Sequence, residues 1–226
     1  MPDPPVAFGY KTSWVAVRGE PAQLADALGL QNFVATNWTS AMFPARSSNS
    51  LSERPVIFVT PQLSGWTMAV SFFLPSLDEL TTDEQFRGEE PPGERSELLV
   101  TMMQALAARF DDVQFFGSYR VVGYVAWCRA RGGKIERAFG YADGQVFANF
   151  GATTPEEAKL GFPDLSGLSS DEAVDKLFET DDATDEALPA KLAGEWSINP
   201  LQLEEAGYPP SLGLAGYLPD LYWRPI

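Results

Sequence analysis

The chain has 226 residues, 45% of them hydrophobic and 21% charged, enough to bury a sizeable core without disulfides or metals. Thirty-one acids against sixteen lysines and arginines give a formal charge of −15, a field that disfavours nucleic acid and anionic lipid surfaces. There is no histidine and a single cysteine, Cys128, which excludes Ser-His-Asp and Cys-His catalysis, histidine-bearing metal sites and any internal disulfide.

Met1-Pro2-Asp3-Pro4-Pro5 lacks the basic and apolar regions of a secretory signal. The apolar runs Met68–Leu74 and Val121–Cys128 are too short to span a bilayer, so the expected location is cytoplasmic. Lys11–Arg18 alternates and reads as a strand. Pro21–Leu28 reads as a short helix with Gly29 just past its end. Asn37–Met42 adds one helical turn, with Pro44 preventing continuation, and the Ser-rich stretch 45–55 reads as loop. Val56–Thr60 and Trp66–Leu74, joined by a turn at Pro61–Gly65, form a hairpin. Residues 75–95 are polar and acidic and read as a long surface loop with one helical turn. Ser96 caps a helix to Phe110 with an apolar stripe through Leu98, Leu99, Met102, Met103, Leu106 and Phe110.

Val113–Phe116 reads as a short strand. Tyr124–Arg131, Lys134–Tyr141 and Gln145–Phe150, separated by Gly132-Gly133 and Ala142-Asp143-Gly144, predict an antiparallel meander. Thr154-Pro155-Glu156-Glu157 is a helix start in which Thr154 and Glu157 complete a capping box. A helix from Ser170 to Phe178, another from Asp185 to Ser197 and a tail over residues 209–226 complete a largely helical last third. The expected architecture is a single α+β domain over residues 1–226, an antiparallel sheet covered on one side by helices.

Two constellations are candidates for binding. The first is acidic: Glu89 and Glu90 in the long loop, and Asp181 and Asp182 after the Ser170 helix. They favour a cationic protein partner, or serve only as solvated loops. The second is the meander. Period 2 places Trp127, Arg129 and Arg131 on one face, and likewise Arg137, Phe139 and Tyr141. Trp127, Arg129, Arg137 and Tyr141 form a recognition face if that side is exposed, and otherwise arginine stems packed over rings. No carboxylate pair sits where burial would tune it for acid–base work, Cys128 has no activating histidine, and no phosphate-cradling or metal-binding pattern is present, so no cofactor and no metal is expected.

Taken as a series, Tyr10-Lys11-Thr12-Ser13-Trp14, Ala35-Thr36-Asn37-Trp38, Val59-Thr60-Pro61 with Gly65-Trp66, Phe116-Gly117-Ser118-Tyr119-Arg120, Ala126-Trp127, Thr154-Pro155-Glu156-Glu157 and Trp196-Ser197-Ile198-Asn199-Pro200 resemble a family of uncharacterised bacterial proteins. The resemblance covers residues 10–205 and connects to the immunity proteins with which bacteria neutralise toxins. It implies a non-enzymatic protein that binds a cognate protein, such as a basic toxin, and it assigns no catalytic residue. Two alternatives stand beside it. One is a small-molecule binder or carboxylate-dependent enzyme with a pocket lined by Trp14, Trp38, Trp66 and Trp127, and the other is an assembly component.

Overall fold

The computed structural model describes residues 1–47, 54–77, 79–90, 96–180 and 183–219. Continuous apolar runs, rather than strictly alternating ones, mark the middle of the sheet. In β1 (Thr12–Arg18) every residue but the last is buried. Val15 and Val17 point into one apolar cluster, and Trp14 and Ala16 into another on the opposite face. Such a strand needs cover on both sides.

β1 sits between β4 (Trp66–Ser71) and β5 (Asp112–Tyr119), antiparallel to both, with Trp14 opposite Val70 on one side and Phe116 on the other. β3 (Val56–Val59) pairs with β4 as the expected hairpin. The meander is formed by β6 (Tyr124–Arg131), β7 (Lys134–Ala142) and β8 (Gln145–Phe150), continuing outward from β5. On the other flank lie β2 (Gln31–Thr36) and β9 (Gly213–Tyr217). Among the described residues, these nine strands form one antiparallel sheet in the order β2-β9-β3-β4-β1-β5-β6-β7-β8.

The seven α-helices among the described residues divide between the faces. On one, α1 (Pro21–Ala27) and α4 (Ser96–Ala107) bring Leu24, Leu99, Met103 and Leu106 onto Val15, Phe115 and Cys128, and α3 (Asp83–Arg87) adds Phe86. On the other, α2 (Trp38–Ala45), α6 (Ser170–Phe178) and α7 (Leu188–Trp196) bring Trp38, Leu177, Leu192 and Trp196 onto Trp14, Phe116 and Trp127. The short α5 (Pro155–Lys159) packs against α7. The expectation of helices on one side only is therefore corrected: both faces carry an apolar cluster, because the central strands are apolar on both.

Four local readings also change. β2, read as no element, is an edge strand with exposed side chains and a left-handed residue, Asn32, in an irregular register. α2 runs past the expected stop, with Pro44 inside it and Asn37 as its cap. β5 runs from Asp112 to Tyr119, beyond the expected Val113–Phe116 at both ends. Part of the expected C-terminal tail is β9, inserted between β2 and β3, so the last third is not simply helical.

That insertion depends on a glycine. A Cβ on Gly213 would meet the Val59 carbonyl and lie 2.5 Å from a Phe58 ring carbon. Replacing Gly213 with valine is expected to cost about 2 kcal/mol or more through overpacking, seen as a lower urea midpoint. An unchanged midpoint would show that β9 is not seated against β3.

Candidate functional site

Period 2 places Trp127, Arg129, Arg137 and Tyr141 on a common face of the meander, and that face is the one α7 and the α5 region pack against. Trp127 is fully buried, Arg137 is 1% exposed, Arg129 is buried and Tyr141 half-buried. The expected open recognition face of Trp127, Arg129 and Arg137 is thus not presented to solvent.

What holds these side chains is a buried polar network. Thr154 caps α5, and the Glu157 carboxylate returns to the Thr154 N–H at 2.7 Å, completing the predicted capping box. The same carboxylate faces the sheet. Its Oε1 accepts from the Trp127 indole N–H at 2.8 Å and from Arg137 Nε at 2.9 Å. Both charged groups are 1% exposed. Arg137 Nη1 donates to Asn149 Oδ1 at 3.0 Å and to the Phe150 carbonyl at 3.1 Å. Asn149 Nδ2 in turn donates to the carbonyls of Leu165 and Leu168. Strands β6, β7 and β8, helix α5 and the segment leading to α6 are thereby tied together. Arg137 Nη2 lies 2.9 Å from Oε1 as an ion-pair contact but makes no directed hydrogen bond.

A second ion pair closes the far end of β6. Arg129 grips Asp112 through Nε at 3.1 Å and Nη2 at 2.7 Å, and its guanidinium lies 4.9 Å from the Trp196 ring centre. Burial pushes the Asp112 carboxyl above its ordinary value, against the pull of Gln114 and Arg131. Cys128 points to the opposite face and is fully buried, and burial pushes its thiol up, so no thiolate is available near neutral pH.

The four tryptophans considered as pocket walls are packed instead. Trp14 stacks on Phe116 at 5.2 Å, Trp38 meets Phe58 edge-on at 5.2 Å, and Trp127 lies 4.6 Å from Phe139. Trp66 is 4% exposed under the Arg18 guanidinium. Among the described residues, no group of three or more acids and cysteine is placed to hold a metal. No helix among them is long and apolar enough to cross a membrane.

The exposed chemistry lies at the β8 end of the sheet. α3 packs on one side of β8, stacking Phe86 on Phe150 at 5.1 Å, and its leading segment is fixed by the Thr81 N–H donating to the Phe147 carbonyl at 2.9 Å. α6 packs on β8 from the other face through Ala173 and Leu177. Each helix turns acids outward: Asp83 and Glu84, followed by Glu89 and Glu90, on the first, and Asp171, Glu172, Asp175 and Glu179 on the second. All eight are exposed, and the cations among them are Arg87 and Lys176, already paired with Asp83 at 3.0 Å and Glu179 at 3.1 Å. The Ser169 N–H and hydroxyl hold the Glu172 carboxyl below its ordinary value. Phe178, the last residue of α6, is 73% exposed, and Leu80, ahead of α3, is 55% exposed. Of the acidic candidates, Glu89 and Glu90 belong to this rim, whereas Asp181 and Asp182 lie outside the described residues. Sequence reading missed Phe178 as a surface residue, because it ends an amphipathic stripe that otherwise faces the core.

No family model, no curated protein and no solved structure matches this chain.

Two measurements test the site geometry. Changing Glu157 to Gln strands the Arg137 charge in the core and is expected to cost about 3–5 kcal/mol, whereas Glu156→Gln next to it should stay within about 0.5 kcal/mol. Equal midpoints for the two variants in urea would show that the network is not closed. Cys128 is expected to resist thiol reagents until denaturant unfolds the protein. Stoichiometric labelling of the native state would contradict its burial.

Proposed function

We propose that this protein is a non-enzymatic binding module that neutralises a cognate protein in the cytoplasm, an immunity or antitoxin protein directed at a basic toxin. The observation that carries this reading is the pair of acidic helices on the two sides of β8, with Phe178 standing exposed at the end of the second, beside Glu179. Interfaces of this kind combine a desolvated aromatic anchor with a charged rim. The rim raises the encounter rate with a cationic partner and repels anionic ones, nucleic acid included.

Supporting it from the other side, the buried ionisable groups among the described residues are occupied structurally. Glu157 and Arg137 hold the meander to α5, Asp112 is gripped by Arg129, and Cys128 is sealed in the core. On this reading Glu89, Glu90 and Phe178 form the partner surface, and Trp127, Arg129 and Arg137 keep its scaffold rigid.

The test is affinity capture from native cells at low and moderate salt, followed by binding of the purified partner to variants. The expected result is one stoichiometric basic partner, released as salt rises. Its affinity should fall at least about tenfold when Glu89 and Glu90 are both changed to Lys, and again for Phe178→Asp. A partner indifferent to salt and to all three changes would overturn the electrostatic reading, and the absence of any partner would overturn the module.

A further inference from the structure

Away from β8, cations converge on a concavity. A pocket of about 420 Å³ is lined by Tyr10, Lys11, Arg46, Arg120, Asp185 and Glu186. Small-molecule sites span about 300–1,000 Å³, so the volume suits a metabolite-sized ligand.

Three separate parts of the fold deliver the cations. Lys11 stands just before β1 and holds a left-handed backbone, φ 50°. Arg120 opens a turn of 3₁₀ helix directly after β5. Since Thr12 lies opposite Ser118 in the β1–β5 ladder, Lys11 and Arg120 leave from neighbouring strand ends. Arg46 is the cap residue of α2, and its Nη2 donates to the Tyr10 carbonyl at 3.3 Å, which fixes it over the same segment.

The pocket is cationic in a chain that is acidic overall. Several exposed cations elsewhere sit against acids: Arg109 on Asp26, Lys159 on Glu195, Lys176 on Glu179. Among the described residues, Lys11, Arg46 and Arg120 have no carboxylate within ion-pair distance. Of the two acids in the pocket, Asp185 is already engaged, its Oδ2 by Lys191 Nζ at 2.8 Å and its Oδ1 by the Ala187 N–H at 3.0 Å. Three cations therefore face one uncommitted carboxylate, Glu186. Arginine and lysine together recognise oxyanions, the arginine fork by paired hydrogen bonds and the ammonium as a point charge.

We infer that this pocket binds a small organic oxyanion, carrying a carboxylate or phosphate group of one or two negative charges. Lys11 and Arg120 hold the anionic group, Arg46 borders it, and Glu186 selects against more highly charged ligands. None of its lining residues is a rim carboxylate, and the proposal does not rest on a protein partner bound there.

The test is calorimetric titration of the whole protein with inorganic phosphate and, separately, with succinate, each at constant ionic strength held by sodium chloride. Saturable binding of at least one probe is expected, and which probe binds more tightly separates phosphate from carboxylate ligands. Lys11→Gln and Arg120→Gln should each weaken it at least about tenfold, Glu186→Gln should strengthen it, and the exposed hairpin change Lys134→Gln should leave it unaltered. Glu186→Gln keeps the test decisive even if a cation variant folds poorly, because it predicts a gain. No saturable binding of either probe, or binding unchanged across the pocket variants, would overturn the proposal.

Discussion

The organisation of this molecule follows from the two-sided burial of its central strands. β1, β5 and β6 are buried along nearly their whole length, with Val15, Val17, Val113, Phe115 and Cys128 toward one face and Trp14, Phe116, Val125 and Trp127 toward the other. At about 25 cal/mol per Å² of apolar surface, neither face tolerates water, so each must recruit helices. Antiparallel sheets more often leave one face wet. Here the second layer brings α2, α5, α6 and α7 over the aromatic face, and it is this layer that hides Arg129 and Arg137.

Covering an arginine-bearing face creates a need for counter-charge. Arg137 in a low-dielectric interior would be prohibitive alone, and it is matched by a carboxylate whose remaining lone pairs are filled by an indole and a backbone N–H. Glu157 thus has two roles, finishing a helix cap and neutralising a buried cation. Asp112 does the equivalent for Arg129 at the other end of β6. Polar contacts in this core therefore specify which helix sits over which strand, a discrimination that interchangeable apolar contacts supply poorly.

Much of the fold was legible where signals are local. The hairpin of β3 and β4, the Gly-Gly and Asp-Gly turns of the meander and the Thr154 capping box all lie within a few residues of their cause. Where the cause is distant, legibility fails. β9 is Gly-Leu-Ala-Gly-Tyr, poor in β-formers, and is a strand because Gly213 permits close approach to Val59. β2 exposes its side chains and shows no burial pattern to read. Period 2 correctly placed Trp127, Arg129 and Arg137 on one face, yet periodicity is silent about whether that face is covered. The Glu157–Arg137 pair spans twenty residues of sequence, and Trp127–Glu157 spans thirty, with nothing local to announce either. In the acidic rim, Glu89 and Glu90 were legible as exposed charge, whereas the joining of α3 and α6 at β8 required the three-dimensional arrangement.

The place of β9 in the sheet has a consequence for how the molecule is made. Its partners, β2 and β3, leave the ribosome more than a hundred residues earlier and do not bond to each other in the finished sheet. Until Tyr217 has emerged, β3 keeps one row of backbone donors and acceptors unmet, and β2 has no neighbour at all. Folding from the N-terminus can build the β4-β1-β5-β6-β7-β8 portion during synthesis, while the opposite flank waits for the last strand to arrive. During that interval the nascent chain carries an open edge able to pair with other chains, and the interval ends once β9 is translated and paired.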